Sequence, residues 1–334
     1  MRGREEHEYI ANQRTEELIA NYPFYIQDFY VFMENKSYTT KRKYILYILH
    51  MLKFIKGTDY VELEDVLTIT ADELQKYMLS LKYQSTKDGE MKKIGSSIRA
   101  VRWSAIAYFY DFLVKRRHIE YNIFSQYIER PKLEDKKDII YLTNDEITKF
   151  LEYVSETAHP LFRNRDLAII TLAIATGLRE TAVTEINISD INFTHGSIYT
   201  TNKGNKSWYV YPGEMSMNYI KAWLKDREGL LKESGVTTDA LFISRSRQRM
   251  TAHTLMYMLK GYTDIFDKHI TFHKLRSTCA TNLYKASNDI YLVAETLGHA
   301  STKTTQRYTK LGDERRREAG AIMNNLFINT EADK

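Results

Sequence analysis

The chain has 334 residues, which suits two domains of roughly 150 residues each. Its composition is 43% hydrophobic and 27% charged with only 14 glycines and 4 prolines, which excludes disordered and collagen-like proteins and favours helices. The single cysteine, Cys279, excludes an internal disulfide or a cysteine zinc cluster, and the net charge of +5 is modest, so its distribution along the chain is more informative.

Two basic helices are predicted in the N-terminal half. Residues 35–58 contain six lysines or arginines and no acid, and their apolar residues recur at spacings of three and four. Residues 91–117 are predicted as a second basic helix, with seven basic residues against Asp111 alone. Such charge indicates an anionic polymer as partner, although a solvated helix face explains it equally well. Aromatic residues of the second stretch are expected in the core rather than as base-stacking platforms: Trp103, Tyr108, Phe109 and Phe112.

The rest of this half is also predicted to be helical. Two further helices are expected at residues 22–34 and 71–82. Thr70 and Glu73 have the spacing of a capping box at the start of the second one. Pro131 and a run of charged residues then predict a linker at residues 131–140.

The C-terminal half is predicted to combine helices with a small antiparallel sheet. Thr143 and Glu146 form another capping box, and residues 167–176 are apolar enough for a buried helix. Residues 186–211 alternate apolar and polar side chains between turn signals, which predicts short paired strands. Further helices are expected at residues 215–228, 251–262, 272–286, 290–297 and 301–308.

Nothing in the sequence predicts a membrane segment. The N-terminus lacks the apolar core of a signal peptide, and the longest apolar run, residues 167–178, has 12 residues, too few to span a bilayer. A cytoplasmic protein without membrane contact is therefore expected, and the lone cysteine fits a reducing compartment.

Four short stretches contain residue types that suit chemistry at a phosphodiester. Arginine offers a planar fork to two phosphate oxygens, so two arginines can neutralise the charge that builds up on phosphorus. A tyrosine phenol, with a pKa of about 10, needs activation before it attacks, and a lysine can protonate a leaving alkoxide. The stretches are ATGLRE around Arg179, NKGNK with Lys203 and Lys206, HKLR from His273 to Arg276, and LGHASTKTTQRYT with His299 and Tyr308.

The order and spacing of these motifs resemble those of the tyrosine recombinase (phage integrase) family. An arginine, a lysine on a hairpin, His-x-x-Arg, Gly-His and a tyrosine nine residues later follow one another as in that family. The resemblance covers about residues 22–327, and is greatest to Xer-type or simple two-domain integrases, since residues 1–20 leave no room for a further DNA-binding domain.

The resemblance implies a fold that is mainly α with a small antiparallel β-sheet in the C-terminal domain. The family has two domains, a helical core-binding domain and an α+β catalytic domain that together clamp duplex DNA. On this chain the implied division is an extension at residues 1–20, a core-binding domain at 21–130, the linker at 131–140, a catalytic domain at 141–312, and a C-terminal helix and tail at 313–334 exchanged between protomers.

The resemblance also implies a role for each motif residue. Tyr308 would attack the scissile phosphate and form a 3′-phosphotyrosyl link, while Arg179 and Arg276 hold its nonbridging oxygens. His273 would assist removal of the tyrosine proton, and Lys203, preferred over Lys206, would protonate the leaving 5′ oxygen. His299 would brace the phosphate. The ester itself stores the bond energy, so no ATP, metal or other cofactor is implied.

The implied function is site-specific recombination of double-stranded DNA, by sequential strand exchange in a homotetramer on two sites. Accessory DNA-bending or directionality proteins would be further partners. Two alternatives are a type IB-like topoisomerase and a DNA-binding protein with impaired catalysis. Ala182, where the family usually has an acid, and Ser277, often a histidine, are departures from its pattern. Candidate DNA-binding residues are Lys41, Arg42, Lys43, Arg99, Arg102, Arg245 and Arg247, with Arg249 nearby.

Overall fold

The computed structural model of the protein describes residues 3–85, 89–133, 139–201, 207–298 and Thr305. The chain divides into two compact units, Met1–Lys137 and Asp138–Lys334. The described part is mainly helical, and its second unit contains a small antiparallel sheet, which confirms the predicted fold class.

In its described residues the first unit contains seven helices and a short two-stranded ribbon. The helix that was predicted from the basic residues 35–58 begins after Ser37, whose side chain accepts a hydrogen bond from the Thr40 amide, and ends at Gly57. The predicted capping box of Thr70 and Glu73 is present. The elements are α1 (Gly3–Ile19), α2 (Phe24–Phe32), α3 (Tyr38–Lys56), α4 (Leu63–Leu67), α5 (Ala71–Ser80), β1 (Tyr83–Ser85), β2 (Met91–Lys93), α6 (Ser96–Lys115) and α7 (Ile123–Tyr127).

An aromatic core holds the first unit together. The ring centre of Phe29 on α2 lies 5.1 Å from that of Phe109 and 5.3 Å from that of Phe112, and all three side chains are fully buried. Trp103 and Tyr108 pack against this core, and the Trp103 indole donates a 2.9 Å hydrogen bond to the Ile128 carbonyl. The prediction that these α6 aromatic residues belong to the core is confirmed.

Two local predictions in this unit were wrong. Residues 91–93 form a strand rather than the start of a helix, because they pair with β1 and α6 begins only after Gly95. In addition, α1 occupies most of the range expected as an extension before the first helix. Thr15 and Ile19 of α1 are buried, so this helix is part of the packed unit.

The second unit packs helices around the buried α9, beside a three-stranded sheet. The sheet has the order β3-β4-β5, with Ile198 opposite Val210 and both side chains buried. Trp223 on α11 is buried and donates a hydrogen bond to the Leu241 carbonyl. The elements are α8 (Asn144–Thr157), α9 (Arg163–Thr176), α10 (Glu180–Glu185), β3 (Ile191–Asn192), β4 (Ser197–Thr201), β5 (Ser207–Val210), α11 (Gly213–Ser234), α12 (Ala252–Lys260), α13 (Phe272–Ser287) and α14 (Ile290–Thr296).

The start of α8 is tied to the body of the second unit by a lysine. The predicted capping box of Thr143 and Glu146 is present. The Lys268 ammonium lies 2.7 Å from the Glu146 carboxylate and donates a 2.8 Å hydrogen bond to the Tyr141 carbonyl. The chain is therefore held where it enters this unit. None of the described helices is long and apolar enough to cross a membrane.

Cys279 on α13 is buried, as the sequence predicted for a small apolar residue. Burial raises the pKa of its thiol to about 12, although the nearby Arg276 acts in the opposite direction. Near pH 8 only about one thiol in 10⁴ is ionised at such a pKa. We expect the native protein not to react with a chromogenic disulfide reagent, whereas the denatured chain releases one equivalent. Rapid labelling of the native protein would contradict this expectation.

Candidate active site

Arg276 lies where two helices of the second unit end. It is the fifth residue of α13 and its side chain is buried, with 4% of the residue exposed. Its guanidinium donates a 2.5 Å hydrogen bond to the Gly177 carbonyl and a 2.7 Å hydrogen bond to the Leu297 carbonyl. These carbonyls follow α9 and α14, which leave such groups unpaired at their C-terminal ends. Arg276 therefore joins the end of α9 to the end of α14.

Gly177 makes this arrangement possible at the end of α9. It has the left-handed conformation, with φ at +60°, and its amide caps the helix by donating to the Ala173 carbonyl. A Cβ atom at this position would lie 2.4 Å from Cδ2 of Leu297 and 3.3 Å from the Cys279 side chain. Glycine is thus required both by the backbone conformation and by the close approach of α13 and α14.

The two remaining described motif residues lie close in sequence to the Arg276 contacts. Arg179 follows Gly177 by two residues, is partly exposed, and occupies the extended N-cap position of α10. His273 is exposed in the first turn of α13, three residues before Arg276 and so on the same side of that helix. The contact of Arg276 with Gly177 thus joins the Arg179 and His273 segments.

The two departures from the family pattern are both buried. Ala182, with 4% of its surface exposed, packs in the hydrophobic core of the second unit. Ser277 is fully buried, and its hydroxyl donates a 3.0 Å hydrogen bond to the His273 carbonyl one turn earlier. Ala182 therefore contributes to core packing, and Ser277 stabilises the first turn of α13.

The other predicted catalytic residues lie outside the described residues. These are Lys203 with its competitor Lys206, His299, Tyr308 and the rest of the helix predicted at 301–308 apart from Thr305; the segment at 313–334 also lies outside. Their described neighbours are nevertheless informative. The strands β4 and β5 flank residues 202–206, and the Leu297 carbonyl bound by Arg276 precedes His299 by two residues. Thr305, three residues before Tyr308, is fully buried.

The first unit presents some of its predicted DNA-binding residues to solvent and buries another. Arg42 and Lys43 on α3 are exposed. Lys41 is buried, with its ammonium 4.7 Å from the Tyr30 ring centre and 5.5 Å from that of Tyr38. Burial lowers the pKa of this lysine. Lys41 is therefore less accessible to a phosphate than Arg42 and Lys43, and its role as a phosphate ligand stays a prediction.

Two predicted arginines of α6 are partly exposed. The guanidinium carbon of Arg102 lies 5.2 Å from the ring centre of Tyr47 on α3, and Arg99 precedes it by one turn. The two arginines thus line the side of α6 that adjoins α3.

The arginines of residues 245–249 serve different purposes. Arg245 is exposed at a turn in which the Ser244 amide donates to the Gln248 carbonyl. Arg247 has the left-handed conformation, with φ at 64°, and donates a hydrogen bond to the Arg245 carbonyl. Arg249 is committed to the fold, because it donates to the carbonyls of residues 184 and 186. Within the described ranges, no group of three or more His, Cys, Asp or Glu side chains could hold a metal ion.

Comparison with known proteins identifies the family. Residues 141–315 match the Phage integrase family. The chain is 32% identical over 291 residues to tyrosine recombinase XerD of Oceanobacillus iheyensis, covering 85% of this chain and 92% of the relative. It is 27% identical to tyrosine recombinase XerS of Streptococcus mutans, covering 92% of this chain and 97% of the relative.

Solved structures agree on the fold. The XerH site-specific recombinase bound to palindromic difH substrate, in a post-cleavage complex, has a TM-score of 0.68 at 22% identity, covering 87% of this chain and 81% of that one. A lambda integrase tetramer bound to a Holliday junction has a TM-score of 0.62 at 17% identity, covering 85% and 76%. The family predicted from the motifs is thus confirmed: the chain belongs to the phage integrase family of tyrosine recombinases, enzymes that cut and rejoin DNA in site-specific recombination.

Proposed function

We propose that Tyr308 is the nucleophile of this recombinase and that Arg179 and Arg276 bind the scissile phosphate. The observation that carries the proposal is the pair of hydrogen bonds from the buried Arg276 to the Gly177 and Leu297 carbonyls. Those bonds place an arginine fork between the segment that leads to Arg179 and the segment that leads to residues 299–308. Catalytic groups must be preorganised around the reacting phosphate, and a buried, doubly anchored arginine meets that requirement.

The proposed reaction is a transesterification in which no bond energy is lost. The Tyr308 oxygen attacks phosphorus, its proton passes to His273, and a 3′-phosphotyrosyl bond forms as the bond to the 5′ oxygen breaks. Lys203 donates a proton to that oxygen, while Arg179 and Arg276 neutralise the charge on the nonbridging oxygens. Attack by another 5′ hydroxyl reverses the sequence and rejoins the strand. His299 braces the phosphate.

Double-stranded DNA is the proposed substrate and a homotetramer the proposed assembly. Support comes from the XerH structure, which holds a difH substrate, and from the lambda integrase tetramer on a Holliday junction. The relatives are recombinases, which favours this function over the type IB topoisomerase and over the catalytically impaired binder. We propose that the C-terminal helix at 313–334 is exchanged between protomers. We also propose that the protein acts in the cytoplasm and that accessory DNA-bending or directionality proteins are further partners.

In this proposal residues 21–130, with α1 packed against them, form the core-binding domain and residues 141–312 the catalytic domain, joined by residues 131–140. The core-binding domain would contact phosphates through the exposed Arg42 and Lys43 and the partly exposed Arg99 and Arg102. In the catalytic domain Arg245 and Arg247 would do the same. Such contacts give affinity that falls as salt rises, without reading sequence.

The experiment that tests the proposal is covalent trapping. Wild-type protein and a Tyr308→Phe variant are incubated with nicked duplexes drawn from the DNA flanking their own gene, and protein–DNA adducts are sought on a denaturing gel. An adduct is expected with wild type and none with the variant, whereas Tyr291→Phe, at a residue that is 73% exposed on α14, should behave as wild type. Binding without any adduct, or equal adducts from wild type and Tyr308→Phe, would contradict the proposed nucleophile.

Arg245 is proposed to contact DNA and Arg249 supports the fold, so their replacement by alanine should have different effects. Arg245→Ala should weaken duplex binding roughly threefold to tenfold near physiological salt without changing thermal stability, because one exposed phosphate contact is lost. Arg249→Ala should leave binding nearly unchanged and cost about 2 kcal/mol of stability, because buried carbonyls lose their donor. Fluorescence anisotropy and thermal denaturation measure the two effects, and equal behaviour of the variants would refute the distinction.

A further inference from the structure

The first unit carries a two-stranded ribbon between α5 and α6 that no sequence motif indicated. We call residues 82–85 and 89–93 the basic ribbon. Tyr83 of β1 is opposite Lys93 of β2, and the Ile94 amide donates a 2.9 Å hydrogen bond to the Lys82 carbonyl at the base. The ribbon leads directly into α6, whose Arg99 follows within one turn of its start.

Packing within the unit does not account for the basic ribbon. All three residues of β2 are exposed, with Met91 at 66%, and Tyr83 of β1 is 54% exposed. Ile94 is the first buried residue after the ribbon. An isolated two-stranded hairpin is marginally stable in water, because it buries little apolar surface. A contact with a partner outside the unit would therefore add stabilisation to the ribbon and use its exposed surface.

The charge of the basic ribbon indicates the kind of partner. Its described residues include three lysines, Lys82, Lys92 and Lys93, against Glu90. Residues opposite each other in an antiparallel pair share a face, as do alternate residues on one strand. Lys93 therefore shares a face with Tyr83 and Met91, whereas Lys82 and Lys92 lie on the other face, so both sides of the ribbon carry positive charge.

We propose that the basic ribbon is an additional DNA-binding element that contacts the phosphate backbone of duplex DNA through Lys82, Lys92 and Lys93. This inference rests on the proposed function of the first unit as a core-binding domain. A two-stranded ribbon has the width that a major groove admits, and lysines bind phosphate as point charges. Tyr83 and Met91 supply apolar surface for the sugars. The ribbon extends the positive surface of α6 beyond Arg99.

The test compares two full-length triple variants with the wild type. Lys82→Gln/Lys92→Gln/Lys93→Gln removes the ribbon charges, and Lys149→Gln/Lys225→Gln/Lys232→Gln makes the same change in net charge at exposed lysines of α8 and α11. Affinity for a labelled duplex of arbitrary sequence is measured over a series of salt concentrations. The ribbon variant should bind roughly tenfold to a hundredfold more weakly near physiological salt, and its salt slope should fall by about 2 to 3. The second variant should match the wild type.

Charge-preserving replacement and covalent trapping sharpen the result. Lys82→Arg/Lys92→Arg/Lys93→Arg should retain the affinity and slope of the wild type. The glutamine variant should still form the Tyr308 adduct at saturating protein, because the ribbon does not touch the reacting phosphate. The inference would be overturned if the glutamine variant had the affinity and salt slope of the second variant. It would also be overturned if the only effect of the glutamine variant were self-association, because the lysines would then serve to keep the strand edges from pairing with another chain. A wild type that forms no adduct, yet binds DNA through these lysines, would contradict the proposed function alone.

Discussion

Replacing Arg276 by alanine is expected to reduce formation of the covalent DNA adduct by roughly 10²- to 10³-fold, because one preorganised cation is removed from the phosphate site. The same change removes the donor of the Gly177 and Leu297 carbonyls at the ends of two helices. Hydrogen bonds from a charged group and the penalty for buried unpaired carbonyls together suggest a loss of about 3 kcal/mol. In a unit of this size, that loss lowers the melting temperature by roughly 6 to 12 °C.

A matched variant separates the chemical effect of this change from the structural one. Arg179→Ala should lose adduct to a similar degree but keep its melting temperature, because Arg179 is partly exposed at an N-cap position. Arg276→Lys keeps the charge but lacks the planar fork that reaches two carbonyls, so it should not restore either property. Trapping assays below the melting transition and calorimetry measure both. Wild-type stability of Arg276→Ala would contradict the proposed link between the helix ends.

Gly177→Ala is expected to destabilise the second unit by about 3 kcal/mol, close to the effect of Arg276→Ala. The left-handed conformation alone costs an alanine about 1 kcal/mol, and overpacking against Leu297 and Cys279 adds about 1 to 3 kcal/mol. Adduct formation should fall as well, because the Gly177 carbonyl positions Arg276. Thermal denaturation and covalent trapping of the variant check both expectations.

Gly235 provides the control for this substitution. It ends α11 in the same left-handed conformation, with φ at +66°, but no atom lies within 4 Å of a Cβ built there. Gly235→Ala should therefore cost only about 1 kcal/mol and leave adduct formation unchanged. Equal costs at the two glycines would show that the close approach of Leu297 to Gly177 has no energetic consequence.

Much of the fold was predictable because its signals are local. The capping boxes at Thr70 and Thr143 depend on side chains three residues apart, and both are present. The periodicity of α3 depends on its own residues, as does the alternation that predicted the three-stranded sheet. The β1–β2 ribbon was missed because each strand has three residues and β2 has no buried face, so no alternation marks it.

Some features of the candidate site could likewise be predicted from the sequence, whereas others could not. The spacing of its motifs is a property of the sequence, so the family and its reaction could be predicted and the comparisons confirm them. The inward position of Lys41 could not be predicted, because it depends on aromatic rings that neighbouring parts of the unit bring to it. For the same reason, nothing in the run Arg245 to Arg249 marks Arg249 as the residue that binds carbonyls near residue 185.

The sequence by itself determined the order of the catalytic motifs, the helical character of the chain and the reaction class, since each depends on residue identity and near-neighbour spacing. Only the tertiary structure decided that Gly177 must be glycine and that Arg276 holds two helix ends. Both facts arise because Leu297, 120 residues after Gly177, packs against it, and contacts at that separation leave no periodic trace in the sequence.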